Sequence, residues 1–398
     1  MKKFGPGLLV TAAFIGPGSI ATASAAGANT GFVLLWALLF SLVATMVLQE
    51  MAARLGLVSG DGLSQALRTT FRNPLISRTA VILVVSAIGV GNAAYEAGNI
   101  SGAALGLQTL LPLSASASAL VLGGLAALLL GSGGYKLLEP ILIVLVLIMS
   151  TVFVVTMLMI DLDFGAMLAG MVKPSIPAGS ALTVVALIGT TVVPYNLFLH
   201  ANIVQEKWRG VGTRQAIAES RADTVISIGL GGLITLAVMS TSAVAFFNTG
   251  AAFSASSLAT QLEPVLGKAA NGFFAFGLMA AGLTSAITAP LAAAYAVSGA
   301  MGWPTDFSDK RFTAIWVLVL VVGTLFAALG TKPIAAILFA QAANGVLLPV
   351  TAIFLIIIMN RADLLGDYRN RLLSNLLAVA VVAVVTGLGL WNIVRLFV

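Results

Sequence analysis

The sequence predicts an all-α membrane protein of about eleven transmembrane helices, set out as an inverted five-plus-five repeat with one helix added at the end. Three observations carry this reading. The 398-residue chain is 59% hydrophobic and only 9% charged, with a mean hydropathy of +1.07, whereas soluble domains carry about 25% charged residues. Its apolar runs are long enough to cross a hydrocarbon core of about 30 Å, which takes about 20 residues at 1.5 Å each. Two helix-breaking tetrapeptides, Gly16-Pro17-Gly18-Ser19 and Val193-Pro194-Tyr195-Asn196, sit inside such runs at corresponding places in the two halves.

Taken in order, spans are expected at 8–27, 32–49, 80–105, 117–131, 137–160, 178–204, 224–247, 271–299, 312–330, 333–358 and 373–397. The first carries the first break. Met1-Lys2-Lys3 runs directly into Phe4-Gly5-Pro6-Gly7 rather than into a cleavable leader, so this segment is expected to be retained as a working helix. The fourth is the shortest, and the sixth carries the second break. The chain is thus expected to form one polytopic domain over 1–398, with repeats at roughly 8–160 and 178–358 and the extra helix at 373–397. Each repeat holds an odd number of spans, and that turns the second copy upside down.

Charge placement supports both the count and the orientation. Placing the amino terminus in the cytoplasm puts sixteen of the twenty Lys and Arg residues there, leaving Lys173, Lys268, Lys332 and Arg395 outside. The carboxyl terminus then lies outside, in a multi-pass protein of the cell membrane. The net charge of +6 reflects these retained basic loops, so lipid rather than nucleic acid is the expected surroundings. With no cysteine there is no disulfide or thiolate metal site. Gly131-Ser132-Gly133-Gly134-Tyr135-Lys136 lacks the order of a phosphate-binding loop, and no cofactor is expected. An enzyme is disfavoured as well, because there is no histidine pair for zinc, no cysteine nucleophile and no paired intramembrane aspartate.

The breaks point to a substrate site. A proline inside a helix removes a backbone hydrogen bond and clashes with the preceding turn, and flanking glycines relax the chain further. Backbone groups freed at membrane depth cannot face lipid, where each unpaired group costs several kcal/mol, so they line a cavity or a ligand. Paired interruptions in two repeated halves are the pattern of secondary-transporter sites.

At this level of detail the chain resembles the Nramp divalent-metal transporters, nearly end to end. The resemblance runs through Ile20-Ala21-Thr22 to Leu55-Gly56-Leu57-Val58-Ser59-Gly60, Asn196-Leu197-Phe198-Leu199-His200-Ala201 to Val204-Gln205, Arg221-Ala222-Asp223-Thr224, Gly282-Leu283-Thr284-Ser285, and Gln341 to Leu348-Pro349. It implies a LeuT-type fold and alternating-access transport of a divalent metal of the Mn/Fe/Mg class, with coupling to H⁺. By the same resemblance the substrate site falls on Gly16, Pro17, Gly18, Ser19, Thr190, Val193, Pro194, Tyr195, Asn196 and Gln341. Ion coupling falls on Glu96, the carboxylate placed deep inside a span, and on His200, the sole histidine.

The departures fall where the chemistry should be. The family's first break reads Asp-Pro-Gly-Asn, and here Gly16 and Ser19 replace the carboxylate and the amide. The second usually reads Met-Pro-His, and here Val193 and Tyr195 replace the thioether and the imidazole. Tyr95 and Gly98 stand where the family's third helix carries an Asp and a Glu. The remaining hydroxyls, amides and carbonyls offer no charge to compensate a divalent cation. Cargo therefore stays open between a weakly held hydrated cation and a neutral or anionic solute. A binding or sensing homologue that does not transport also stays open, as does oligomeric state, with a monomer sufficient. Glu96 has a second reading, as a buried carboxyl paired with Asn92 or Asn99, and His200 as a helix residue hydrogen-bonded in a vestibule. The Gly98, Gly102, Gly106 spacing is expected to serve packing within the bundle.

Overall fold

The computed structural model describes residues 15–71, 73–133, 135–330 and 332–395. Among these the chain is helical throughout, without strands. The membrane helices are α1 (Pro17–Thr30), α2 (Leu35–Ser59), α4 (Pro74–Leu110), α5 (Ala115–Ser132), α6 (Tyr135–Met159), α8 (Ala181–Thr191), α9 (Pro194–Lys207), α10 (Thr213–Phe246), α11 (Ala270–Met301), α12 (Lys310–Leu329), α13 (Pro333–Met359) and α14 (Leu372–Arg395); α3 (Leu63–Thr70) and α7 (Phe164–Val172) are short connectors. Ten segments among them are long and apolar enough to span a bilayer, with α8 and α9 together making one. They match the second to eleventh expected spans. The first expected span is described only from residue 15 onward, because 8–14 lies outside the described residues.

Local signals set the helix boundaries. Pro17, Pro74, Pro194 and Pro333 each open a helix, where a missing N–H costs nothing and φ is already near the helical value. Asn73 Oδ1 accepts from Leu75 N at 2.9 Å, which extends α4 six residues beyond the expected start at 80. At 37 residues this helix is longer than the membrane core requires. Gly60, at φ +71°, ends α2 in the left-handed conformation that favours glycine.

The centre of the bundle is α4, packed against α11 and α13, while α1 lies between α10, α13 and α8. Large apolar side chains on the outer helices point outward, among them Leu128, Leu158, Leu329 and Phe339, as expected where the solvent is lipid. The connector α7 was not foreseen. Asp163 caps it through Ala166 N at 2.8 Å, Gly170 packs on the Phe32 carbonyl, and Phe164, Leu168 and Val172 stay exposed. That pattern leaves an exposed apolar face on a segment too short to cross a bilayer.

Candidate functional site

The second break forms as its proline requires, and the first is described from Ile15 onward, where Pro17 opens a helix. Before the first, Gly16 is extended, with φ −115° and ψ −174°. Before the second, Val193 is extended at φ −81° and ψ 119°, and Val192 takes φ −95° and ψ 76° as α8 ends. Each residue preceding a proline is pushed out of the helical region by the ring, so α8 stops and α9 restarts at Pro194, while α1 opens at Pro17.

The two breaks meet. Ser19 Oγ lies 2.9 Å from Thr190 Oγ1, joining α1 to α8 across 171 residues of sequence. The glycines bring the neighbouring backbones close. A Cβ at Gly16 would sit 2.8 Å from Ser285 Oγ on α11, and one at Gly18 would overlap the Gln341 amide on α13. A Cβ at Gly102 would overlap the Pro17 ring, and one at Gly189 would overlap the Gln341 carbonyl oxygen. Gln341 is therefore ringed by Gly18, Gly98 and Gly189. The small-residue stripe on α4 serves this packing, with Gly98 against Ala340, Gly102 against Pro17 and Gly106 against α11.

Tyr95 lies on the same face of α4 as Gly98 and Gly102. Its ring meets Tyr195 edge to face, with centroids 5.6 Å apart, below the second break. Ser19, Thr190, Val193, Tyr195, Asn196 and Gln341 are all buried. Several of the polar atoms here have no hydrogen-bond partner: both amide atoms of Asn196, both of Gln341, Ser285 Oγ and Thr22 Oγ1. Buried polar atoms are normally paired, so this concentration of unpaired donors and acceptors marks a place that accepts a polar ligand. A mostly apolar cavity of about 270 Å³, bordered by Ile15, Ser150, Ile234 and Thr284, runs beside the first break.

Glu96 leaves α4 on a different face from Gly98 and Gly102. Its Cβ and Cγ pack on Gly323 of α12, because two residues of helix turn the side chain about 200° away from Gly98. Asn99 Nδ2 donates to Glu96 Oε2 at 3.2 Å, while Oε1 has no partner. Asn92, the other expected neighbour, donates instead to the Ala289 carbonyl at 3.2 Å. His200 lies beyond the second break, with Nδ1 2.9 Å from Gln49 Oε1 of α2 and Nε2 unpartnered. Sequence reasoning missed Gln49 as the partner of His200 and Ser285 as a neighbour of the first break. The available signal was the presence of an amide and a hydroxyl inside otherwise apolar helices.

Among the described residues no group of three or more His, Cys, Asp or Glu side chains is placed to hold a metal ion. The donors at the breaks are neutral oxygens and amides. Such a set suits a hard cation that keeps part of its water, or an uncharged polar solute, better than a soft transition metal.

Comparison with known proteins adds an independent line. Residues 7–395 match the family model described as natural resistance-associated macrophage protein-like, Nramp. The chain is 30% identical over 401 residues to the divalent metal cation transporter MntH of Klebsiella pneumoniae, covering 99% of this chain and 94% of that one. It is 28% identical to the protein of the same name from Burkholderia ambifaria, covering 97% and 87%. Among solved structures it is similar to the manganese transporter of Eremococcus coleocola, with a TM-score of 0.78, 21% identity, and 98% and 85% of the two chains covered. It is also similar to Mhp1, a nucleobase-cation-symport-1 family transporter in a closed conformation, with a TM-score of 0.58, 16% identity, and 97% and 91% covered. These structural likenesses establish the LeuT-type fold.

Proposed function

The chain belongs to the natural resistance-associated macrophage protein-like family, Nramp, and from that premise we propose that it is a secondary transporter moving a divalent cation of the hard Mn/Mg class by alternating access. The observation that carries the proposal is the junction of the two breaks at Ser19 and Thr190, 2.9 Å apart and surrounded by unpartnered polar atoms. Gly16, Ser19, Thr190, Tyr195, Asn196 and Gln341 would hold the cation through carbonyl, hydroxyl and amide oxygens. Pro17, Gly18, Val193 and Pro194 would shape the site, and part of the ion's water would stay in place. The segments carrying the two breaks, one from each of the repeats at 8–160 and 178–358, would rock against the remaining helices as a scaffold, with the amino terminus in the cytoplasm and the carboxyl terminus outside. Glu96 and His200 would act at a distance from the cargo, exchanging protons through their unpartnered atoms.

A second reading is favoured by the donor set itself. With no carboxylate, imidazole or thioether at the breaks, the same pocket suits a neutral solute rich in hydroxyl or amide groups. Uptake into proteoliposomes decides between the two, using Mn²⁺ and Mg²⁺ with an internal pH dye. Saturable Mg²⁺ or Mn²⁺ entry, with acidification that disappears in Glu96→Gln, is the expected result. Entry of a neutral solute in the absence of metal entry would move the assignment to the second reading. If no solute enters, the chain is a binding homologue that does not transport.

A further inference from the structure

A second polar site lies far from the breaks, where α2 ends and α10 and α14 begin. A cavity of about 570 Å³ is bordered there by Arg54, Arg214, Arg221, Arg369, Arg371 and Asp367. Five arginines thus border the crevice with a single carboxylate, Asp367, and Glu50 lies adjacent. Glu50 is engaged on both oxygens, by Arg54 at 3.0 Å and by Arg221 at 2.8 Å. Among the described residues Arg214, Arg369 and Arg371 form no ion pair, and the crevice keeps an excess of positive charge.

Arg54 is the fixed member of the group. It is 5% exposed and donates to the Tyr368 carbonyl at 2.6 Å and to Asn370 Oδ1 at 2.8 Å, which ties the segment before α14 to the end of α2. Its Nε is buried with no partner. A buried guanidinium with a free N–H beside three unpaired arginines is built to receive an anion, and planar guanidinium pairs match phosphate oxygens two at a time.

The position narrows the source of that anion. Ser374 borders the cavity, and Leu372, Leu373 and Leu376 beside it are more than half exposed on the outer face of α14. The mouth of the crevice therefore opens at the level where acyl chains meet head groups. Basic pockets between membrane helices at such a level take phosphate head groups.

We propose that this crevice is a binding site for a phosphate-bearing anion, filled in the membrane by the head group of an anionic phospholipid, which clamps α14 to α2 and α10. The lipid's glycerol and acyl chains would lie along Leu372, Leu373 and Leu376. Arg214, Arg369 and Arg371 would grip the phosphate, and Arg54 would complete the set from beneath. This assignment does not depend on the identity of the transported cargo.

The test is titration of the purified full chain, in neutral detergent, with phosphatidylglycerol, phosphatidylcholine and inorganic phosphate, read by native mass spectrometry and by thermal unfolding. Phosphatidylglycerol is expected to bind and raise the unfolding temperature, with phosphatidylcholine inert. Arg369→Gln with Arg371→Gln should weaken that binding about thirtyfold, since each arginine near a membrane surface contributes about a factor of five. Arg78→Gln with Lys310→Gln, which removes two charges elsewhere on the surface, should leave it unchanged. Equal protection by inorganic phosphate, again lost in the double arginine variant, would keep the phosphate site and replace lipid by a soluble anion as its source. Undiminished binding to the double arginine variant, or equal losses in both double variants, would overturn the proposal.

Discussion

The centre of the bundle and its arginine-rich end handle polar groups in opposite ways. At the breaks the side chains are uncharged, densely packed by glycines, and many are left without partners, as with Asn196, Gln341 and Ser285. At the end the side chains are charged, and their main cross-link, Arg54, bonds a carboxylate, an amide and a backbone carbonyl at once. Water and head groups can reach the end, so charge is affordable there. At the centre a fixed charge would need a permanent counter-charge or an ion. A transporter that must release its cargo keeps its binding groups weak and its structural cross-links strong.

Several substitutions would break or sharpen this contrast. The largest effect is expected from Gly189→Ala and Gly102→Ala, whose added Cβ would meet the Gln341 carbonyl or the Pro17 ring with no flexible side chain to yield. Each should cost about 3 kcal/mol or prevent folding, read by thermal unfolding and monodispersity in detergent. Arg54→Ala removes the cross-link and leaves Asn370 and the Tyr368 carbonyl without a donor. A loss of about 2 kcal/mol is expected in denaturant titration of the detergent-solubilised protein. Gly16→Asp with Val193→Met and Ser285→Gly would put a carboxylate and a thioether at the breaks, with room made where Ser285 stands 2.8 Å away. Calorimetry should then show Mn²⁺ binding strengthened by at least about tenfold, or ~1.4 kcal/mol. No gain in the folded variant would mean that Gly16 and Val193 do not face the cargo.

Ser19→Ala should cost about 1 kcal/mol through the lost bond to Thr190, with a larger effect on uptake than on unfolding. The smallest effect belongs to the exposed charges at the α12 start. The Asp309 carboxylate accepts from the Arg311 guanidinium and also caps the Arg311 N–H, and these contacts hold its pKa down to about 2, from 3.8. Because the folded-state value is the lower one, its contribution is complete above pH 3.8 and fades as pH falls through about 2. Asp309→Asn should abolish that acid sensitivity and change little at neutral pH, as monitored by unfolding temperature against pH.

The break residues were legible because proline and glycine act through the backbone. Pro17 and Pro194 interrupt helices wherever the rest of the chain goes, and the meeting of their breaks follows from the repeat. Apolar length likewise set the spans, and sequence boundaries agree with the structure to within a few residues except at the polar ends of three helices, with α2 running ten residues past the expected 49 and α4 ending five past 105. Asn73 caps α4 six residues before the expected 80, and α10 begins at Thr213, eleven residues before the expected 224, because hydropathy reads the membrane-embedded part of a helix and is blind to its polar extensions. Glu96 shows the other limit. Its depth and its angle from Tyr95 follow from helical periodicity, and only the packing showed that this angle meets Gly323 of α12.

The sequence by itself determined that this chain crosses the membrane many times, that two helices break at matching points, and that the family's charged and sulfur ligands are absent from them. These are properties of composition and of local backbone chemistry, and no distant contact can alter them. The tertiary structure alone decided that Ser19 bonds Thr190, that Ser285 and Gln341 close around the first break, and that five arginines gather at one end. Those arrangements depend on the rotation of each helix about its axis, which is fixed by the packing of glycine-lined faces across the whole bundle.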